Sequence, residues 1–200
     1  MFDNLIYAVF DSSGSNLEMG KSRLSRNLAR TLVQLKKIHT KSEYTNINFE
    51  LYTLNEQLQR ISLDSRGDVP PFKSVGTSNL ELLINFIDTL CSKDQTLSIL
   101  FFSDLNYKIQ DIECLSSVIH KYSDLHFLVI PIGLDADMSK LNILKTISFT
   151  PDNVLKAVDY AISFMLGKFE MPRTITQIKE VDEKTLFLDT NENEDEDSWE

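Results

Sequence analysis

The stretch LIYAVFDSSGS (5–15) decides the fold. A run of six apolar or aromatic residues is followed at once by an acid, three serines and a glycine. An uninterrupted apolar run of this length predicts a strand that is covered on both faces, as in a parallel sheet. The polar residues behind it would then lie at the carboxyl end of the strand, where open α/β sheets bind their ligands.

Similar apolar runs recur along the chain and alternate with amphipathic segments. Further strands are predicted at 47–54, 58–63, 97–102 and 125–132, with 149–150 as a candidate short strand. Helices are predicted at 21–38, 78–91, 109–122, 137–147 and 151–166. This alternation predicts an α/β fold with a doubly wound, mostly parallel central sheet and helices on both faces.

The charge of the chain is unevenly distributed. The formal net charge is -10, but seven of the 30 acidic residues lie in 185–200, where there is no Lys or Arg. The remainder has 23 acids against 20 bases and no basic stripe, so a nucleic-acid partner is not expected. We predict one domain at 1–168, a C-terminal extension at 169–188 and a disordered acidic tail at 189–200.

The sequence also bears on the compartment. The N-terminus has an acid where a signal peptide would have bases, and no apolar run approaches the ~18 residues of a transmembrane helix. The two cysteines, Cys91 and Cys114, have no metal-ligand spacing and fit reduced thiols. We therefore predict a cytoplasmic protein without a membrane partner.

The polar residues at the predicted strand ends suit a divalent cation. Asp11, Ser13 and Ser15 alternate after the first strand, which places their side chains on one side of an extended loop. Asp104 follows the strand at 97–102, and Thr77 lies in a Gly-containing loop that opens a helix. Hard cations such as Mg²⁺ accept hydroxyl and carboxylate oxygens together with water.

A phosphate-binding loop is the main alternative. Gly20, Lys21 and Ser22 match the end of G-x-x-x-x-G-K-[ST], but Ser15 stands where the first glycine belongs. That alternative would be a nucleotide- or metal-dependent phosphotransferase using Lys21, Ser22 and Asp104. Lys21→Ala would abolish such an enzyme, whereas a cation site should keep its affinity. A third alternative is a structural domain with a degenerate, metal-free site.

The combination of D-x-S-x-S with the later Thr77 and Asp104 resembles the metal-ion-dependent adhesion site of von Willebrand factor A (vWA) domains, over residues 4–166. The resemblance implies Mg²⁺ or Mn²⁺ held by the hydroxyls of Ser13, Ser15 and Thr77, with Asp11 and Asp104 binding directly or through water. It leaves one coordination position for an acidic residue of a partner. Asn16 replaces a frequent Met, and Leu105 replaces a frequent Gly; neither change removes a ligand, but Leu105 could reshape the rim of the site.

These residues predict a protein–protein interaction module rather than an enzyme, since no nucleophile or general base accompanies them. Within the family the chain looks most like bacterial tellurium-resistance proteins of the TerY type. That likeness implies a stress-response or phage-defence signalling system with a kinase and a phosphatase as partners. We interpret Asp135 and Asp137 as loop residues, with Asp137 near a helix start, and His126 as a hydrogen-bonded core or edge residue of a strand.

Overall fold

The computed structural model describes residues 4–38, 47–92 and 96–167. The chain divides into two units, Met1–Glu170 and Met171–Glu200, and all the described residues belong to the first. The predicted extension at 169–188 and the predicted tail at 189–200 therefore lie outside the described residues. None of the described helices is both long enough and apolar enough to cross a bilayer.

The centre of the domain is a six-stranded sheet with the order β3-β2-β1-β4-β5-β6. The strands are β1 (Asn4–Asp11), β2 (Ile47–Leu54), β3 (Leu58–Arg60), β4 (Leu97–Ser103), β5 (Leu125–Pro131) and β6 (Ile147–Ser148). All neighbours pair in parallel except β3, which runs antiparallel to β2 at one edge. The predicted doubly wound, mostly parallel sheet is confirmed.

Helices cover both faces because the strands bury side chains on both. The helices are α1 (Lys21–Ile38), α2 (Leu80–Cys91), α3 (Ile109–Lys121), α4 (Ser139–Leu144) and α5 (Val154–Met165). One face of β1 and β4, including Phe10 and Phe102, packs on α1 and α5. The other face, including Val9 and Phe101, packs on α2, α3 and α4. Alternate residues of one strand thus enter two separate cores, which is why β1 and β4 read as continuous apolar runs.

The differences from the predicted elements lie at their ends and at the sheet edges. The third strand stops at Arg60, and α4 is shorter than predicted. The short last strand is Ile147–Ser148 rather than 149–150. Its two residues pair with Leu128 and Val129 of β5. Edge strands carry few apolar residues, so the sequence marks their bounds weakly.

Candidate cation site at the carboxyl edge of the sheet

The ends of β1 and β4 lie where the strand order of the sheet reverses, since strands are added on one side of β1 and then on the other. The chain leaves β1 for β2 on one side, whereas β4 continues towards β5 on the other. The two connections therefore diverge above the sheet and leave a crevice, the usual ligand position in such folds. Asp11 ends β1 and Asp104 directly follows β4, so both carboxylates lie at this crevice.

The Asp11 carboxylate is buried and fully engaged in hydrogen bonds. It is 2% exposed and forms no ion pair with any described residue. Five groups donate to its two oxygens at 2.5 to 3.2 Å: the Ser13 N–H, the Asn16 amide and the Ser78 hydroxyl to Oδ1, and the Ser103 and Tyr107 hydroxyls to Oδ2. The charge is thus stabilised by oriented dipoles from three separate segments of the chain.

The two serines of the motif lie side by side. Ser13 Oγ and Ser15 Oγ are 3.0 Å apart, and the Asn16 amide nitrogen lies 3.3 Å from Ser13 Oγ. Two oxygens bound at right angles to one Mg²⁺ at about 2.1 Å would have the same separation, about 3.0 Å. Asn16 Oδ1 is buried without a hydrogen-bond donor among the described residues, so it leaves an acceptor open to a water or a hydrated ion.

Thr77 is near the motif in the backbone but separate from it in its side-chain contacts. The loop that carries it docks on the motif through two backbone hydrogen bonds, from Gly14 N to Gly76 O and from Val75 N to Ser12 O. The Thr77 side chain itself is exposed and makes no hydrogen bond to another described residue. It lines a cleft of about 670 Å³ at the start of α2. The next residue, Ser78, provides the hydroxyl that reaches Asp11.

Asp104 belongs to a second network, which contains a buried lysine. The Lys21 ammonium lies 2.9 Å from Asp104 Oδ2 and 2.6 Å from Asp135 Oδ2. Lys21 is 1% exposed, although it is the first residue of α1. The other oxygen of Asp104 accepts from the Asn106 N–H at 3.1 Å. The predicted residues therefore fall into two groups, Asp11 with Ser13 and Ser15, and Asp104 with Lys21, while the Thr77 side chain is hydrogen-bonded to neither group among the described residues.

Burial and charge act in opposite directions on Lys21. Burial lowers the pKa of its ammonium, but the hydrogen bonds to Asp135 and Asp104 outweigh this, and the pKa lies above its usual value. The same contact lowers the pKa of Asp135. Burial, followed by the nearby Asp11 carboxylate, raises the pKa of Tyr107 well above its usual value. The network thus holds a charged lysine and a neutral phenol at neutral pH.

Several residues of these networks were missed or misread in the sequence. The sequence pattern assigns Lys21 to a phosphate loop or to a plain helical turn, and Asp135 to a loop. Asp135 lies four residues beyond the end of β5, whereas Asp104 directly follows β4, so the strand-end rule points to Asp135 less directly. Ser78, Ser103 and Tyr107 carry no comparable signal, because hydroxyl residues are common in loops.

The two departures from the family pattern have structural explanations. Asn16 fills its position by donating to Asp11 and Ser13. Leu105 has a φ of 58°, in the left-handed region that favours glycine, and its side chain is completely buried against the α2–α3 core. The Leu105 side chain therefore lies in the core rather than on the rim. Burial of an apolar side chain offsets a backbone strain of about 1 kcal/mol.

Exposed apolar side chains flank the Lys21–Asp135 contact. Met19 is 76% exposed just before Lys21, and Leu134 is fully exposed just before Asp135; Leu17 and Met138 are exposed in the same two loops. Met19 also has a positive φ of 51°, an uncommon conformation for a methionine. Apolar side chains held in water at a ligand crevice are typical of protein-binding surfaces.

The chain matches no protein-family model, and no curated protein sequence is significantly similar to it. Solved structures are similar in fold. The ArnB paralog VWA2 from Sulfolobus acidocaldarius matches with a TM-score of 0.57 and 16% identity, over 78% of this chain and 44% of that chain. The fold is that of von Willebrand factor A domains.

Two further vWA-like matches contain metals. One is proximal thread matrix protein 1 from the mussel byssus with a zinc-occupied MIDAS motif (TM-score 0.50, 16% identity, 82% of this chain and 45% of that chain). The other is manganese-loaded TRAP protein from Plasmodium vivax (TM-score 0.51, 12% identity, 80% and 73%). The chain spans less than half the length of VWA2 and of the mussel protein. At these identities the likeness establishes the fold, and the metals are those of the other proteins.

Proposed function

We propose that this protein is a metal-dependent protein-interaction module whose divalent cation binds at the carboxyl edge between β1 and β4. The observation that carries the proposal is the pair of adjacent hydroxyls, Ser13 and Ser15, beside the buried Asp11 carboxylate. Asp104 would supply the second acid, and Thr77 a third hydroxyl from the α2 loop. This all-oxygen set suits Mg²⁺ or Mn²⁺. The zinc-occupied MIDAS motif of the mussel protein and the manganese-loaded TRAP protein support binding of a divalent ion by this fold.

The ion would supply a positive charge with an open coordination position. An acidic side chain of a partner protein is the ligand that such a position favours. Within the chain, Ser13 and Ser15 would hold the ion, and the donors to Asp11 would keep its carboxylate oriented. Leu17, Met19, Leu134 and Met138 would bury apolar area on the partner. A stress-response setting with kinase and phosphatase partners remains a prediction from the TerY resemblance.

A Mn²⁺ titration followed by electron paramagnetic resonance tests the cation site. We expect saturable binding of one ion, weakened about tenfold or more in Ser15→Ala and Thr77→Ala, since each variant removes one oxygen ligand. Ser22→Ala is the matched control, because it removes a hydroxyl in the following turn that makes no hydrogen bond to a described residue. Equal affinity in all four proteins would show that the ion binds at another place, and no binding in the parent would refute the proposal.

Two additions to the same titration test the partner and the alternative. Acetate added to the Mn²⁺-loaded protein should displace bound water and reduce the water proton relaxation enhancement, as a partner carboxylate would. ATP without metal should not bind, because the Lys21 ammonium is already held by two carboxylates. Saturable ATP binding that is lost in Lys21→Ala would favour the phosphotransferase.

A further inference from the structure

Lys21 places a positive charge beside the acid that the proposed cation site would use. Its ammonium lies 2.9 Å from Asp104 Oδ2, and Asp104 is 2% exposed. A divalent ion that uses Asp104 must therefore compete with a fixed positive charge a few ångströms away. Because repulsion between like charges is strong in a buried site, this competition must lower the affinity for the ion.

The fold is shaped around the lysine stem. Gly133 has a φ of 97°, and a Cβ at this position would lie 2.6 Å from Lys21 Cε and 2.6 Å from Asp135 Oδ1. The β5–α4 loop thus passes directly over the stem. The same loop is tied to Asp104 by a hydrogen bond from Asp137 N to Asp104 O at 2.9 Å. The surrounding loop therefore holds the Lys21 side chain in contact with the two acids, unlike a lysine side chain that moves freely at the surface.

The two carboxylates that hold Lys21 differ in exposure. The Asp104 side chain is 3% exposed, whereas that of Asp135 is 44% exposed. An ion that binds Asp104 displaces the ammonium from that oxygen but leaves Asp135 as its partner. Asp135 therefore favours the arrangement in which Asp104 is free for the ion, and without Asp135 the ammonium would have Asp104 alone.

We propose that Lys21 is an internal cation that competes with the divalent metal for Asp104, and that Asp135 is the positioning residue that sets the balance. This inference rests on the proposed function and specifies the regulation of its site. It replaces the sequence-based expectation that substitution of Lys21 leaves the metal affinity unchanged.

Mn²⁺ affinities of a set of variants test the competition. Lys21→Met should raise the affinity about tenfold or more, because it removes a positive charge beside the ion. Asp135→Asn should lower it about tenfold, because Lys21 then bonds Asp104 more strongly. In the double variant the effect of Asp135→Asn should disappear, since it acts through Lys21. Lys21→Gln, which keeps a hydrogen-bond donor without the charge, serves where Lys21→Met does not fold.

The neighbouring loop offers matched controls. Lys140 is also a buried lysine, and it pairs with Asp137 at 3.4 Å without touching Asp104. Lys140→Met and Asp137→Asn make the same changes of charge, so they should alter the Mn²⁺ affinity less than about twofold. Comparable effects in the controls would reduce the role of Lys21 to general electrostatics and overturn the inference.

Thermal unfolding supplies a readout that does not need bound metal. In EDTA the melting temperature of Lys21→Met should fall below that of the parent, because Asp104 loses its only cationic partner among the described residues. Saturating Mn²⁺ should then raise the melting temperature of Lys21→Met more than that of the parent. An equal or smaller increase would contradict the competition.

The outcomes separate the two proposals. If the parent binds Mn²⁺ and Lys21→Met binds it no more tightly, the competition is overturned and the cation site stands. If only Lys21→Met binds Mn²⁺, the competition is supported and the parent is not a metal-dependent module. If no variant binds Mn²⁺, both proposals fail.

Discussion

Asp11→Ala is expected to lower the free energy of unfolding by about 4 kcal/mol, measured by urea denaturation in EDTA. The substitution removes the acceptor of five hydrogen bonds at a site that is 2% exposed. A buried donor without an acceptor costs about 1–3 kcal/mol, and rotating hydroxyls or entering water recover part of the total. EDTA removes any contribution of bound metal, so the measurement reports the network alone.

Asp11→Asn should cost less, about 1–2 kcal/mol. The three donors to Oδ1 include a backbone N–H and an amide, which cannot become acceptors, so the asparagine oxygen must face them. Its nitrogen then faces the hydroxyls of Ser103 and Tyr107, and both can rotate to accept. Asp11→Ala is expected to be more destabilising than Asp11→Asn because of these hydrogen-bond roles, since both variants remove the charge.

Asp64 provides the control for Asp11. It also accepts two backbone N–H groups, from Arg66 and Asp68, but it is exposed. Asp64→Ala should therefore cost less than about 1 kcal/mol, because water replaces the lost acceptor. If Asp11→Ala were as mild as Asp64→Ala, Asp11 would not hold these segments together, and the network would be incidental to stability.

Most of the fold could be predicted from the sequence because its central strands are buried on both faces. The runs at 5–10, 47–54, 97–102 and 125–132 all form parallel strands. The helix at 21–38 was predicted with its exact observed bounds, Lys21–Ile38. The antiparallel β3 and the two-residue β6 were placed less well, because pairing at a sheet edge depends on the partner strand rather than on a local pattern.

The same reasoning from the sequence predicts the acids and serines of the candidate site but not the lysine beside them. Motif spacing brought Asp11, Ser13 and Ser15 together, and the strand-end rule brought Asp104 to the same crevice. The position of Lys21 was not accessible, since it depends on the turn before α1, where Met19 and Gly20 both have positive φ. Nothing in the local sequence shows that a lysine at the start of a helix will be directed into the sheet edge.

The sequence predicts His126 to be a hydrogen-bonded core or edge residue of a strand; its place in a core strand is confirmed, and the predicted hydrogen bond is wrong. It lies in β5, completely buried, and neither ring nitrogen has a hydrogen-bond partner among the described residues. Its ring stacks on Phe164 and Tyr160 of α5, with centroids 4.4 and 5.1 Å away. Ser98, the residue of β4 that pairs with His126, donates its hydroxyl to Ala161 O instead. His126 thus occupies an aromatic position of the core with a ring that can take up a proton.

Acidification is expected to destabilise the protein through His126. Burial lowers the pKa of His126 from 6.5 to about 4 in the folded state. Between these values the unfolded chain binds the proton and the folded chain does not, so folding stability falls as the pH falls. A difference of about 2.5 pH units corresponds to about 3 kcal/mol, fully present above pH 6.5 and lost by pH 4.

His126→Phe isolates this effect, because it keeps an aromatic ring for the stack but cannot bind a proton. Urea denaturation of the parent and the variant at a series of pH values gives the difference in their free energies of unfolding, in which the shared titration of the carboxylates cancels. At pH 7 the variant should be more stable than the parent by about 1–2 kcal/mol, since it removes two unsatisfied nitrogens from the core. At pH 4 the advantage should grow by about 3 kcal/mol.

His120→Gln is the control, because the His120 ring is exposed on α3. A difference between parent and His126→Phe that stays constant from pH 7 to pH 4 would show that β5 and α5 separate, or admit water, far more readily than their packing implies.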